Sequence, residues 1–176
     1  MRGHRPRGRI RERARGGAPH WREAAAGDVD QIGDDGRGAP RRTQPKVIVV
    51  DASALLEALL RTPAATAVDR WLFEPGQTLH APHLLDVEVI QVVRRYAANG
   101  EISAQRGRLA LADLADFRVH RYPHDVLLPR VWELRHNITA YDAVYVALAE
   151  ALDATLLTRD RRLAAAAGHH ARIEVV

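Results

Sequence analysis

Asn137-Ile138-Thr139-Ala140-Tyr141-Asp142-Ala143-Val144-Tyr145-Val146-Ala147-Leu148-Ala149-Glu150 reads as a helix that is apolar on nearly every face. Such a helix belongs inside a fold, and a carboxylate in its first turn is costly there unless donors or a cation meet it. Asp142 is that carboxylate, so it needs a partner. Two short β-branched runs elsewhere end in the same chemistry. Val47-Ile48-Val49-Val50 is followed at once by Asp51, and Thr155-Leu156-Leu157-Thr158 is followed by Arg159-Asp160. In open α/β sheets, sites form in the crevice beyond the carboxyl ends of the strands. That makes Asp51 and Asp160 neighbours, with Asp142 between them.

Outward from this helix the chain alternates. The run over 47–50 is short and continuously apolar, as in a strand buried on both faces. Helices are predicted over 53–60 and 64–73, the first limited by Pro63 and the second ended by Pro75-Gly76. A short strand is predicted over 78–81. The next helix, 82–98, carries Leu85, Val89, Val92, Val93 and Tyr96 at helical spacing and closes at Asn99-Gly100. A helix with a Ser103 cap follows over 103–115, then a strand over 117–122 and a helix over 123–135. After the central helix come the strand 155–158, a helix over 161–167 ended by Gly168, and a last strand over 172–176. Strands alternating with helices predict an α/β fold in three layers, with a mostly parallel central sheet flanked by helices. No internal repeat is present.

The chain has 176 residues, one domain's worth of core, and no cysteine. Thiolate metal sites, disulfides and cysteine nucleophiles are therefore excluded, which leaves carboxylates and histidines for chemistry. No apolar run is long enough to cross a bilayer, and the N-terminus lacks the apolar core of a signal peptide, so a cytoplasmic protein is expected. The pI near 10.1 suggests nucleic acid until its distribution is examined. Residues 1–45 hold eleven arginines against six acidic residues, a net of +5, and the remaining 15 basic and 16 acidic residues give −1. The basicity belongs to the leader. That segment is rich in Arg, Gly and Pro with no sustained period, so disorder is expected over 1–45 and the folded domain over 46–176. The leader reads either as an arginine-rich RNA-binding arm or as a translated upstream region, and we favour the second.

Asp51 and Asp160 at strand ends, Asp142 at a helix start and Glu88 within 82–98 are the candidate site carboxylates. Spacing leaves Glu88 and Asp86 open, since they lie about 40° from Val92 and about 20° from Val93 on the helical wheel. Clustered carboxylates repel one another and take up protons unless a hard divalent cation with oxygen ligands neutralises them. Mg²⁺ or Mn²⁺ is the natural occupant. Such a cation activates water and stabilises charge on a phosphate, which is phosphodiesterase chemistry. Ser53, Thr139 and Thr158 are supporting candidates that could bond the carboxylates or a phosphate, and capping is the favoured reading for Thr139, three residues ahead of Asp142. The histidines, His169-His170 and the pair His80 and His83 among them, lack the spacing of a helical metal motif and are read as surface residues. Arg94, Arg95, Arg159, Arg161 and Arg162 are candidates for RNA backbone contacts.

Taken in order, Val49-Val50-Asp51-Ala52-Ser53-Ala54-Leu55, Leu85-Asp86-Val87-Glu88-Val89, the Thr139–Glu150 helix and Leu156-Leu157-Thr158-Arg159-Asp160-Arg161-Arg162-Leu163 resemble the PIN domain in the form carried by VapC toxins. The resemblance runs from Val47 to the C-terminus, about three quarters of the chain. It implies that Asp51, Glu88, Asp142 and Asp160 form the acidic metal site, which selects Glu88 over Asp86. It further implies a Mg²⁺- or Mn²⁺-dependent ribonuclease that cuts structured RNA, often tRNA or ribosomal RNA, and so blocks translation. A homodimer and a cognate VapB antitoxin laid over the active site are implied too. The leader departs from the family pattern, in which the first strand comes almost at once.

Two other readings compete. Aspartyl-phosphate phosphatases also place an aspartate after the first strand, but they need a second one two positions on, where this chain has Ser53. No Gly-rich phosphate loop follows the first strand. The third reading is a non-catalytic PIN-fold module that binds RNA or an antitoxin.

Overall fold

Five parallel strands form one sheet in the order β3-β2-β1-β4-β5. They are β1 (Lys46–Val50), β2 (Gln77–Pro82), β3 (Val119–Tyr122), β4 (Thr155–Thr158) and β5 (Arg172–Val175). The computed structural model describes residues 46–176. The expected disorder of residues 1–45 lies outside the described residues.

β1 is the central strand, and Ile48, Val49 and Val50 are fully buried there. That is why the sequence shows an unbroken apolar run in place of an alternating one. The α/β expectation holds, with a sheet wholly rather than mostly parallel.

From β1 the chain moves through α1 (Ala52–Leu60) and α2 (Ala65–Leu72) to β2, then through α3 (Leu84–Ala98) and α4 (Ala104–Asp116) to β3 on one side of β1. It returns through α5 (Leu128–Leu134) and α6 (Ala140–Ala151) to β4 on the other side, and then through α7 (Arg161–Ala165) to β5. The strand order therefore reverses between β1 and β4. That boundary is the switch point where open sheets leave a crevice.

α6 is the buried helix its composition predicts, with every residue from Ala143 to Glu150 buried. Glu150 is kept there by a bidentate pair with Arg130, at 2.6 Å and 3.0 Å, and by the His170 backbone N–H at 2.7 Å. Arg130 also reaches the Gly168 carbonyl at 2.9 Å, tying α5, α6 and the approach to β5 together. Buried charges persist only when paired and hydrogen-bonded in this way.

Four expectations are corrected. The helix expected over 123–135 is a 3₁₀ turn, Asp125–Leu127, followed by α5, because Pro129 in the first turn of α5 suits a helix start and not an interior. β3 begins at Val119, with Phe117 closing α4. Gly168 does not end α7, whose last residue is Ala165; it stands three residues later at φ 96°, with its carbonyl taken by Arg130. His80 is not a surface residue but only 3 % exposed, its two ring nitrogens facing Tyr122 Oη and Thr78 Oγ1 at 2.9 Å each. Among the described residues, no helix is long and apolar enough to cross a membrane.

Candidate active site

β1 ends one residue before Asp51, and its neighbour β4 ends at Thr158, in a register that sets Val50 opposite Leu157. The parallel ladder continues one step further, with Asp51 N–H donating to Leu157 C=O at 2.9 Å. Asp51 and Thr158 are thereby brought side by side, and the Thr158 hydroxyl donates to Asp51 Oδ2 at 2.6 Å. Ser53, in the first turn of α1, donates to the same oxygen at 2.6 Å.

Each hydroxyl is itself aimed by a backbone donor. Arg159 N–H reaches Ser53 Oγ and Asp160 N–H reaches Thr158 Oγ1, both at 3.0 Å. Each hydroxyl oxygen accepts from a backbone N–H and gives its own proton to Asp51.

Asp142 meets its partner within its own helix start. Thr139 Oγ1 accepts from the Asp142 N–H as the cap of α6 and donates to Asp142 Oδ2 at 2.6 Å. Asp160 caps α7, accepting from the N–H groups of Arg162 at 2.7 Å and Leu163 at 3.3 Å. Glu88 accepts a 2.6 Å hydrogen bond from Tyr145 Oη, which comes from α6. Asp86, two residues earlier, is held away in a bidentate pair with Arg121 on β3, its contacts between 2.8 and 3.0 Å. Geometry thus separates two carboxylates that helical spacing could not.

Asp51, Glu88, Asp142 and Asp160 line one open cleft of about 680 Å³, together with Ser53. Arg95 and Arg159 are at the same cleft, and Leu56, Leu60, Val87 and Val92 form an apolar flank. Arg159 is paired with Glu57 at 3.1 Å. Of the other arginines singled out, Arg94 bonds Gln91 at 3.1 Å; Arg94, Arg161 and Arg162 are outside the cleft lining.

The carboxylates act on one another. Burial raises the Asp51 carboxyl above the usual carboxylate range, against the Ser53 and Thr158 hydrogen bonds, and the charge of Asp142 adds to the rise. Burial also raises Glu88, with Asp51 and Asp142 contributing, while the Tyr145 hydrogen bond opposes it. Burial is the larger cause of both rises, and the neighbouring carboxylates add to it.

The donor set suits a hard cation, because the cleft lining offers carboxylate and hydroxyl oxygens and no imidazole. Among the described residues, no three such side chains already converge as a ligand cluster. Several carboxylate oxygens are engaged by Thr139, by the start of α7 and by the hydroxyls around Asp51. Mg²⁺ does not require a closed protein cage, since it commonly keeps several waters and takes one or two carboxylates. On that ground the residues fit such an ion.

Tyr145 is the site residue that motif reading missed. The available signal was its polar tip, three residues after Asp142 on the same face of an otherwise apolar helix.

The PIN domain family matches residues 48–169. Ribonuclease VapC1 of Mycobacterium tuberculosis is 48% identical over 129 residues, which span 73% of this chain and 96% of that protein. Among solved structures, PAE2754 from Pyrobaculum aerophilum superposes with a TM-score of 0.56 at 28% identity, covering 74% of this chain and 85% of the other. VapBC-5 of Mycobacterium tuberculosis, a member of the VapBC family of toxin-antitoxin systems, gives a TM-score of 0.51 at 24% identity, over 75% and 98% of the two chains.

Proposed function

The chain belongs to the PIN domain family, and on that premise we propose that it is a metal-dependent endoribonuclease, the toxin of a toxin–antitoxin pair. The observation that carries this reading is the cleft beside the β1–β4 switch point, whose lining includes the four carboxylates Asp51, Glu88, Asp142 and Asp160 and no imidazole. All four carboxylates lie within residues 48–169, the span matched by the PIN domain family.

In this reading Asp51, Glu88, Asp142 and Asp160 hold Mg²⁺ or Mn²⁺, directly or through water. When bound, the ion offsets phosphate charge and activates water for attack on phosphorus. Ser53 and Thr158 orient Asp51 by donating to a single oxygen, and they oppose the rise that burial imposes on its carboxyl. Thr139 orients Asp142 by donating to its Oδ2. Arg95 and Arg159 supply positive charge at the cleft for the RNA backbone, where contacts position the strand without reading its bases.

The substrate we propose is structured tRNA or ribosomal RNA, cut in the cytoplasm so that translation stops. A VapB-type antitoxin covers the cleft and the toxin works as a homodimer. The partner is supported by the likeness of fold to VapBC-5.

Expression of the chain in a bacterial host should arrest growth and translation, and Asp51→Asn should abolish the arrest. Undiminished arrest by soluble, folded Asp51→Asn protein would contradict the reading.

A further inference from the structure

We propose that Tyr145 is a positioning residue for Glu88, fixing that carboxylate for the divalent cation; the inference rests on the nuclease reading above. Glu88 is carried by α3, and its side chain has three rotatable bonds with which to wander. Tyr145 is carried by α6, 57 residues further along, and only 1 % of it is exposed. Its ring is thus locked by the core, and its hydroxyl is a fixed point from which a 2.6 Å hydrogen bond reaches Glu88 Oε2. Among the described residues, Oε1 takes no hydrogen bond, so one oxygen is anchored and the other is left for a ligand.

The same helix carries Asp142 one turn earlier, so α6 sets the spacing of two of the four carboxylates. The phenol is also suited to remain a donor. Burial and the Glu88 carboxylate raise its ionisation above the ordinary phenol value. Partners that orient a ligating group in this way commonly change metal affinity by about 10- to 100-fold when removed.

The test is direct Mn²⁺ binding by the full chain, followed by calorimetry or by the spin signal of the free ion, with RNA cleavage measured alongside. Tyr145→Phe should bind Mn²⁺ at least about tenfold more weakly than the native chain. Its cleavage should need correspondingly more metal. Glu88→Gln should also weaken binding, and adding Tyr145→Phe to it should cause no further loss.

Native affinity in Tyr145→Phe overturns the inference and leaves the nuclease reading intact. Equal further losses with and without Glu88 also overturn it, because they indicate a general packing role. A native chain that neither binds Mn²⁺ nor cuts RNA overturns the underlying reading, and this inference with it. Should Tyr145→Phe fail to fold, 3-fluorotyrosine at position 145 keeps the size and strengthens the donor. Its Mn²⁺ affinity should shift, and an unchanged affinity would overturn the inference.

Discussion

His80 is the residue whose charge state the fold controls most visibly. Burial, with a smaller push from His120, lowers it to about 4 from an ordinary value near 6.5. The folded state therefore holds His80 neutral between those limits, where the unfolded chain would take up a proton. Stability from this group is fully present above about pH 6.5 and is lost as pH falls toward 4, by up to about 3 kcal/mol. Denaturant unfolding followed from pH 7 to pH 4 should show that loss, and His80→Gln should flatten it within the window; an equally steep profile in the variant would place the pH dependence elsewhere. At this scale the sequence was legible where a residue's meaning lies next to it. Asp51 and Asp160 announce themselves as strand ends, and Thr139 announces itself as a cap. It was illegible where the partner is remote. Asp86 is explained by Arg121, 35 residues away, and Glu88 by Tyr145, so no local pattern could sort the two carboxylates.

Among the elements, α6 carries the most. Its first turn holds Asp142, its second holds Tyr145, and its last holds Glu150, the charge that the fold keeps buried. Arg130 from α5 answers Glu150, whose carboxyl is driven up by burial but carried below the usual range by the Arg130 and His170 hydrogen bonds. Arg130→Ala should destabilise the fold by roughly 3–5 kcal/mol in chemical unfolding, because it strands a buried carboxylate. Replacing both partners with apolar residues, Arg130→Met with Glu150→Leu, should recover most of that loss. A single variant as stable as the native chain would show that the pair is not structural. Most elements were legible because continuous apolar runs and 3.6-residue spacing report burial on two faces or on one. Residues 123–135 were not, since apolar spacing there continues across the 3₁₀ turn and only Pro129 marks the true start of α5.

For the molecule as a whole, the alternation of strands and helices predicted the fold class, and the rule about strand ends predicted where the crevice would open. The strand-end rule also set Asp51 beside Asp160, and so β1 beside β4, but the places of β2, β3 and β5 in the sheet came from neither. All four candidate carboxylates fall within the described residues 46–176. Removing residues 1–45 should therefore leave RNA cleavage unchanged; a large loss of RNA affinity, steep in salt, would instead show that the leader contributes phosphate contacts. The central claim is that the carboxylate cleft cuts RNA with a divalent cation. Incubating the purified chain with total RNA in Mg²⁺ or Mn²⁺ and in chelator, with Asp142→Asn alongside, tests it most directly. Discrete cuts that require both the metal and Asp142 are the predicted result; cutting that survives chelator or the substitution, or RNA bound equally well in chelator and never cut, would contradict it.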